Sequence, residues 1–327
     1  MQKQFPRLRR TAAACTFTLA MLALAGCQTM PAVSADAAGC PIQGPHETAR
    51  VIDGFAAPES VLVAGRRVFV SNIGAKLDPL AKDGDGFISE LDRAGNVVRL
   101  RAFPAAGGAP LHAPKGMALA ARTLYVADID RVVGFDLASG AQVFEATAPG
   151  KEPALLNDLA AENDGTLLVT DTLRGTVARL DIASGRFTVI ASHIAGANGI
   201  AVDAARHRAW VVGIGAKFDG GDVHEIALQG APAAGATHGS LRIAGPHGLF
   251  DGVAFLPGGM VAISDWRALD GSKPGDIALY AAEGTRIGTV HTSVPLLGPA
   301  DFHYDATCRQ LWVPGSLSNQ VQVVNLP

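Results

Sequence analysis

Four polar residues in the chain could together hold a metal ion, and each begins a short motif of the same form. Glu59, Asn157, Asn198 and Asp251 each stand before a small or polar residue and then an apolar stretch. Two carboxylates and two amide carbonyls are hard oxygen ligands, which favour Ca²⁺, with Mg²⁺, Mn²⁺ or Zn²⁺ as alternative cations. The competing interpretation is that polar residues gather at these positions only because the positions face water.

The same motif recurs at Lys115 and, more loosely, at Ala300. The six openings follow one another at spacings of 41 to 56 residues, and strand-like apolar stretches separated by turns fill each interval. Repeats of this length are typical of the four-stranded blades of β-propellers. The sequence therefore predicts an all-β, six-bladed propeller over residues 49–327, with four antiparallel strands in each blade.

The sixth blade lacks a fourth strand of its own before the chain ends at Pro327. The segment 49–54 has the character of that strand, and its pairing there would close the ring and remove exposed sheet edges. A β-sandwich would not explain six similar openings. A parallel α/β fold is disfavoured because no 12-residue stretch shows helical amphipathicity.

In a propeller the first strand of each blade lines the central channel, so the six openings should meet at one mouth of it. Lys115 would then lie among the proposed ligands. Its ammonium could pair with Glu59 or Asp251, or it could bind a carboxylate of the substrate, and the sequence does not separate these two roles.

The openings and the blade count resemble the SMP-30/gluconolactonase family, whose six-bladed propellers include metal-dependent lactonases and are distantly similar to paraoxonases. The resemblance is carried by Pro58-Glu59, Asn157-Asp158, Asn198-Gly199 and Asp251-Gly252. It implies Glu59, Asn198 and Asp251 as direct metal ligands, with Asn157 close to the metal or the substrate. The family's sugar lactonases carry an arginine two positions before the asparagine that matches Asn157, and Leu155 stands there in this chain.

Three aspartates end the second strands of their blades and should surround the openings: Asp128, Asp171 and Asp265. Such carboxylates either orient metal-binding side chains or end strands as turn formers, and the sequence favours neither role.

Two histidines and a set of loop cations complete the candidates. His112 and His247 precede openings by three and four positions and could transfer protons, or they could be bystanders. The loops at 73–86, 214–221 and 266–275 carry Lys76, Lys217 and Arg267. These cations could form a rim that binds an anionic substrate, or they could be solvated loop charges.

The first 26 residues look like a signal peptide, because four basic residues precede an apolar run that is too short for a membrane span. The run ends in Leu-Ala-Gly-Cys, which resembles the lipobox of bacterial lipoproteins and predicts a lipid on Cys27. Residues 27–48 would then be a tether, and the protein would be exported and anchored to a bacterial membrane, facing the periplasm or the exterior. The alternative is an ordinary cleaved signal with a chance cysteine.

Export would leave Cys40 and Cys308 in an oxidising compartment, and a disulfide between them is the simplest expectation. The formal net charge of -3, the absence of a basic patch and the low aromatic content of 6% argue against nucleic-acid binding.

The leading hypothesis is a monomeric, metal-dependent hydrolase that acts on a small lactone or ester, with Asp251, His247 or His112 handling the proton. No Gly-x-Ser-x-Gly or His-Glu-x-x-His motif suggests other hydrolytic chemistry. The alternative is a non-catalytic propeller whose loops bind a ligand or an envelope protein.

Overall fold

A ring of six four-stranded antiparallel sheets is formed by the residues that the structure, a computed structural model, describes: Cys40, 48–228 and 239–326. The first described strand is β1 (Thr48–Asp53). Blade 1 consists of β2 (Pro58–Ala64), β3 (Arg67–Asn72), β4 (Phe87–Asp92) and β5 (Val97–Phe103). Blade 2 consists of β6 (Pro114–Ala120), β7 (Thr123–Asp128), β8 (Arg131–Asp136) and β9 (Gln142–Thr147).

The next blades repeat this order. Blade 3 consists of β10 (Leu156–Asn163), β11 (Thr166–Asp171), β12 (Thr176–Asp181) and β13 (Arg186–Ala191). Blade 4 consists of β14 (Ala197–Asp203), β15 (Arg208–Gly213), β16 (Gly221–Ala227) and β17 (Leu241–Gly248). Blade 5 consists of β18 (Phe250–Phe255), β19 (Val261–Asp265), β20 (Asp276–Tyr280) and β21 (Arg286–Val290). Two short 3₁₀ turns, Ala204–Arg206 and Pro257–Gly259, connect strands.

The sixth blade confirms the predicted closure of the ring. It contains β22 (His303–Asp305), β23 (Gln310–Gly315) and β24 (Gln320–Asn325), and β1 pairs antiparallel with β24 as its fourth strand. The all-β propeller with four antiparallel strands in each blade is therefore confirmed.

The hydrophobic core is distributed between the blades rather than gathered at one centre. Each of six apolar clusters draws on two neighbouring blades, as where Phe69, Phe103 and Phe135 of blades 1 and 2 meet. The outermost strands face solvent, and Val98 of β5 is exposed. This division explains the apolar central strands, because burial on both faces of a blade removes their side chains from water.

Two side-chain links support the closing blade. Cys40 and Cys308 form a disulfide with a Cα–Cα distance of 5.6 Å, the pair that the sequence suggested. Arg93 of blade 1 donates from Nε to Asp305 of blade 6 over 2.9 Å, in an ion pair that is mostly buried. Both links join residues near the start of the ring to residues of blade 6, which are far apart in the sequence. They therefore stabilise the closure of the ring.

The sixth opening differs from the prediction. Ala300 and Asp301 do not begin a blade strand, because the innermost strand of blade 6 starts only at His303. Asp301 instead forms a parallel bridge with Ser60, and its backbone N–H donates to the Glu59 carbonyl at 2.9 Å. The chain at this point is therefore held by the neighbouring blade.

The predicted signal peptide of residues 1–26, the lipid-modified Cys27 and nearly all of the tether lie outside the described residues. Among the described residues, no helix has the length and apolar character needed to cross a membrane.

Replacing both Cys40 and Cys308 by serine should lower the free energy of unfolding by about 2–5 kcal/mol, because the disulfide restricts the unfolded chain. Thermal or denaturant unfolding in oxidising buffer measures this change. Reductant should bring the wild-type protein to the stability of the double variant, which serves as the control. Equal stability of the two proteins in oxidising buffer would contradict the prediction.

Candidate functional site

Five of the six predicted opening residues meet at one mouth of the central channel. Each is the second residue of the innermost strand of its blade: Glu59, Lys115, Asn157, Asn198 and Asp251. All five are buried and line a cavity of about 270 Å³. The sixth place belongs to Ser316, which follows β23, whereas Ala300 is buried away from the cavity.

The innermost strands can converge because glycine follows the opening residue in three blades. An added Cβ at Gly199 would stand 2.0 Å from the backbone oxygen of Asp251 on the next strand. At Gly116 a Cβ would stand 2.5 Å from the Cα of Asp158. Any larger residue would push neighbouring strands apart, so these glycines bring the opening residues together.

One oxygen of each proposed metal ligand is buried without a hydrogen-bond partner. These atoms are Glu59 Oε2, Asn157 Oδ1, Asn198 Oδ1 and Asp251 Oδ1. Buried polar atoms are nearly always satisfied in native proteins, and leaving one unpaired costs about 1–3 kcal/mol. Four such oxygens on one small cavity therefore fit a bound cation.

Neighbouring groups orient two of these side chains. Trp266 donates from Nε1 to Asp251 Oδ2 at 2.7 Å, and Asn198 donates from Nδ2 to the Phe250 carbonyl at 3.2 Å. The atoms left without a partner are Asp251 Oδ1 and the amide oxygen Asn198 Oδ1. The role of Trp266 could not be predicted, because this residue lies in a long loop after β19.

The donor set suits a hard cation rather than a soft one. In the described part of the chain, no group of three or more histidine, cysteine, aspartate or glutamate side chains is placed to hold a metal ion. The cavity wall contains neither histidine nor cysteine. Any cation bound there would be held by carboxylate and amide oxygens, which are the ligands that Ca²⁺ prefers.

Four buried carboxylates repel one another around the channel axis. Burial raises the pKa of Glu59 well above its usual range, and the Asp251 and Asp301 carboxylates raise it further. Burial raises the pKa of both Asp251 and Asp301 to about 7, with the Asp301 charge adding to the effect at Asp251. The pKa of Asp158 is also raised by burial and by Asp301. The mouth is therefore an environment that a positive charge would stabilise.

Asp158 and Asp301 were not predicted as site residues. Both line a second cavity of about 360 Å³ toward the other end of the channel. Asp158 accepts from the backbone N–H of Ile200 at 2.8 Å, and Asp301 accepts from the Ser60 hydroxyl at 2.5 Å. The only feature of the sequence that could have indicated them is their position, because each directly follows an opening residue, Asn157 or Ala300.

Lys115 is buried at the mouth but forms no ion pair with Glu59 or Asp251. Its ammonium donates to the carbonyls of Ala113 at 2.7 Å and Pro79 at 3.2 Å. Burial lowers the pKa of Lys115 to about 8, against the opposing effect of the Glu59 carboxylate. Lys115 therefore joins the loop at 73–86 to the start of β6.

The three predicted surrounding aspartates bind backbone groups ahead of the openings. Asp128 accepts from the N–H groups of His112 and Ala113, both at 2.9 Å. Asp171 accepts from the Leu155 N–H at 3.1 Å, and Asp265 from the Leu249 N–H at 3.2 Å. Each carboxylate thus fixes the backbone that leads into an innermost strand.

His112, His247 and Arg267 are not among the residues that line the mouth. His247 lies on the outermost strand β17, where its Nδ1 is 3.0 Å from Asp222 Oδ1. Arg267 donates to Asp276 at 2.5 Å, and the Nδ1 atom of His112 is buried without a partner. The structure therefore does not bring these three residues into the cavity wall.

Most of the remaining wall is apolar and was not predicted. It contains Ile73, Leu77, Pro79, Leu155, Ile214, Phe218, Trp266 and Leu269. Seven of these side chains come from the three long loops, and Leu155 is the exception. The apolar residues of these loops were the only indication of this wall in the sequence.

Solved structures of low sequence identity share the fold. A virginiamycin B lyase from Staphylococcus aureus has a TM-score of 0.56 and 12% identity, covering 85% of this chain and 99% of that one. A streptogramin B lyase has a TM-score of 0.53 and 12% identity, covering 85% and 97%. Hydrazine synthase from Kuenenia stuttgartiensis has a TM-score of 0.54 and 13% identity, covering 84% and 77%. No protein-family model and no curated protein matches the chain.

The raised pKa values predict an unusual dependence of stability on pH. A carboxyl group with a raised pKa in the folded state stabilises the protein at low pH, and this contribution is lost as the pH rises toward about 7, the pKa of Asp251. Asp251→Asn removes one such group. In the presence of a chelator, the melting temperature of this variant relative to wild type should therefore rise between about pH 4 and 7. A constant difference across this range would contradict the prediction.

Gly199→Ala should destabilise the protein by at least about 1–3 kcal/mol, because its Cβ cannot fit beside the Asp251 backbone. Gly165→Ala is the matched control, since its Cβ would meet nothing closer than Asn163 Oδ1 at 3.5 Å. The control should change stability by less than about 0.5 kcal/mol. Denaturant unfolding measures both, and equal effects would refute the steric argument.

Proposed function

We propose that the protein is a hydrolase of a lactone or ester that uses a divalent cation, most favourably Ca²⁺, at the channel mouth. The observation that carries the proposal is the set of four buried, unpartnered oxygens on one cavity. The residues that would hold the ion are Glu59, Asn157, Asn198 and Asp251. When bound there, a divalent cation polarises a carbonyl and lowers the pKa of water.

Asp251 has the environment of a proton acceptor. Burial raises the pKa of this carboxyl group to about 7 when no ion is bound, and a bound divalent cation would favour the ionised form, which accepts a proton. Trp266 donates to its Oδ2 atom, so Oδ1 is the atom left without a partner. In hydrolysis, Asp251 would accept a proton from water as the water oxygen bonds to the acyl carbon. It would return that proton to the alkoxide released when the acyl C–O bond breaks.

The resemblance of the openings to the SMP-30/gluconolactonase family supports this assignment. The six-bladed propeller fold, which is also the fold of that family, supports it as well. The proposal gives no role to His247 or Arg267, which bind other residues outside the cavity wall. It includes export and lipid attachment at Cys27, which the N-terminal sequence supports and which puts the mouth within reach of extracytoplasmic substrates.

Asp251→Asn and Glu59→Gln should each weaken binding of Ca²⁺ by at least about tenfold, because each removes a charged oxygen ligand. Equilibrium dialysis with metal analysis measures the affinity, and Ca²⁺ should raise the melting temperature of wild type more than that of either variant. Hydrolysis of a panel of lactones and esters should fall in parallel with ion binding.

Asp222→Asn is the matched control, because Asp222 is a carboxylate on blade 4 that binds Arg242 and His247 away from the mouth. This variant should bind Ca²⁺ as wild type does. If well-folded wild-type protein binds no divalent cation, the proposal fails. A ligand-binding propeller without catalysis would then be the better interpretation.

A further inference from the structure

Each of the three long loops has one apolar side chain that lines the mouth and is also partly exposed to solvent. Leu77, Phe218 and Leu269 are 38%, 39% and 40% exposed, and all three line the cavity. Exposed leucine and phenylalanine side chains that converge on one concave site indicate a surface that a ligand covers.

The wall below these residues continues the apolar surface. Ile73, Leu155 and Ile214 are buried there, between the loops and the opening residues. The two remaining polar side chains have partners, since Ser316 donates its hydroxyl to the Pro58 carbonyl at 2.7 Å and Lys115 donates to two carbonyls. The wall therefore offers few groups to bind the hydroxyls of a sugar.

The predicted rim of loop cations does not form around the mouth. The loop cations Lys76, Lys217 and Arg267 do not line the cavity. Arg267 is paired with Asp276. The charged side chains that line the cavity are Glu59, Asp251 and Lys115, and the carboxylates of Asp158 and Asp301 lie behind them. The mouth therefore lacks the rim of loop cations that would attract a negatively charged substrate.

We infer that the substrate is an uncharged lactone or ester with an alkyl or aryl substituent. The substituent lies against Leu77, Phe218 and Leu269, and the carbonyl faces the four unpartnered oxygens. The cavity of about 270 Å³ is at the lower end of the roughly 300–1,000 Å³ typical of ligand sites, so the substrate is small. This inference rests on the proposed hydrolase function and narrows its substrate class.

A series of γ-lactones with alkyl chains of increasing length tests the inference. Each buried methylene should raise kcat/KM about fourfold until the cavity is full, because apolar surface leaves water. A polyhydroxylated lactone such as glucono-δ-lactone should be a poorer substrate than an alkyl lactone of similar size. Turnover that is independent of chain length, or highest for the sugar lactone, would overturn the inference and leave the hydrolase proposal standing.

Binding of the matching alkyl lactams, which resist hydrolysis, separates the two proposals. Two of the three tryptophans, Trp210 and Trp312, are fully buried, whereas Trp266 lines the mouth, so ligand binding should change its fluorescence. Leu77→Asn and Phe218→Ser should each weaken binding of the longest lactam by roughly tenfold.

Leu80→Asn is the matched control, since Leu80 is 49% exposed in the same loop as Leu77 but does not line the cavity. It should bind the lactams as wild type does. If no lactone is hydrolysed but lactam affinity still rises with chain length, the ligand class is supported and the hydrolase proposal fails. Lactam affinity that is independent of chain length would overturn the inference.

Discussion

The innermost strands of neighbouring blades approach each other so closely around the channel that their backbones touch. At Gly199 and Gly116 there is no room for a side chain, and Asp301 bonds through its backbone to the adjacent strand of blade 1. This approach brings the second residue of five innermost strands to one mouth and removes the side-chain oxygens of those residues from water. A site of buried, unpaired oxygens is therefore a result of how the ring is assembled.

The parts of this protein that could be predicted from its sequence are those that repeat. Glu59, Asn157, Asn198 and Asp251 occupy the same place in successive repeats, so knowing the repeat was enough to bring them together. The closing strand could be predicted for the same reason, because a ring of six blades lacks one strand at the C-terminal end. The regular spacing alone predicts the positions of these residues and of the closing strand, and no description of side-chain packing is needed.

The loops carry the features that could not be predicted. Trp266 binds Asp251 and Ser316 takes the sixth place at the mouth, yet both follow the ends of second strands, where loop length varies from blade to blade. His247 is close in sequence to Asp251 but belongs to the outermost strand of the preceding blade. Nearness in sequence is misleading at such a boundary, because the chain passes there from the outermost strand of one blade to the innermost strand of the next.

The pairing of β1 with β24 has a consequence for the order of folding. A ribosome makes β1 first among the described strands and β24 last, and the two are joined by a loop that comprises nearly the whole ring. Blades 1 to 5 can each form from local hairpins, but the sixth sheet must wait for residues 320–325. Pairing of β1 with β24 closes the longest loop in the ring, so blade 6 is the last sheet that a newly made chain can complete.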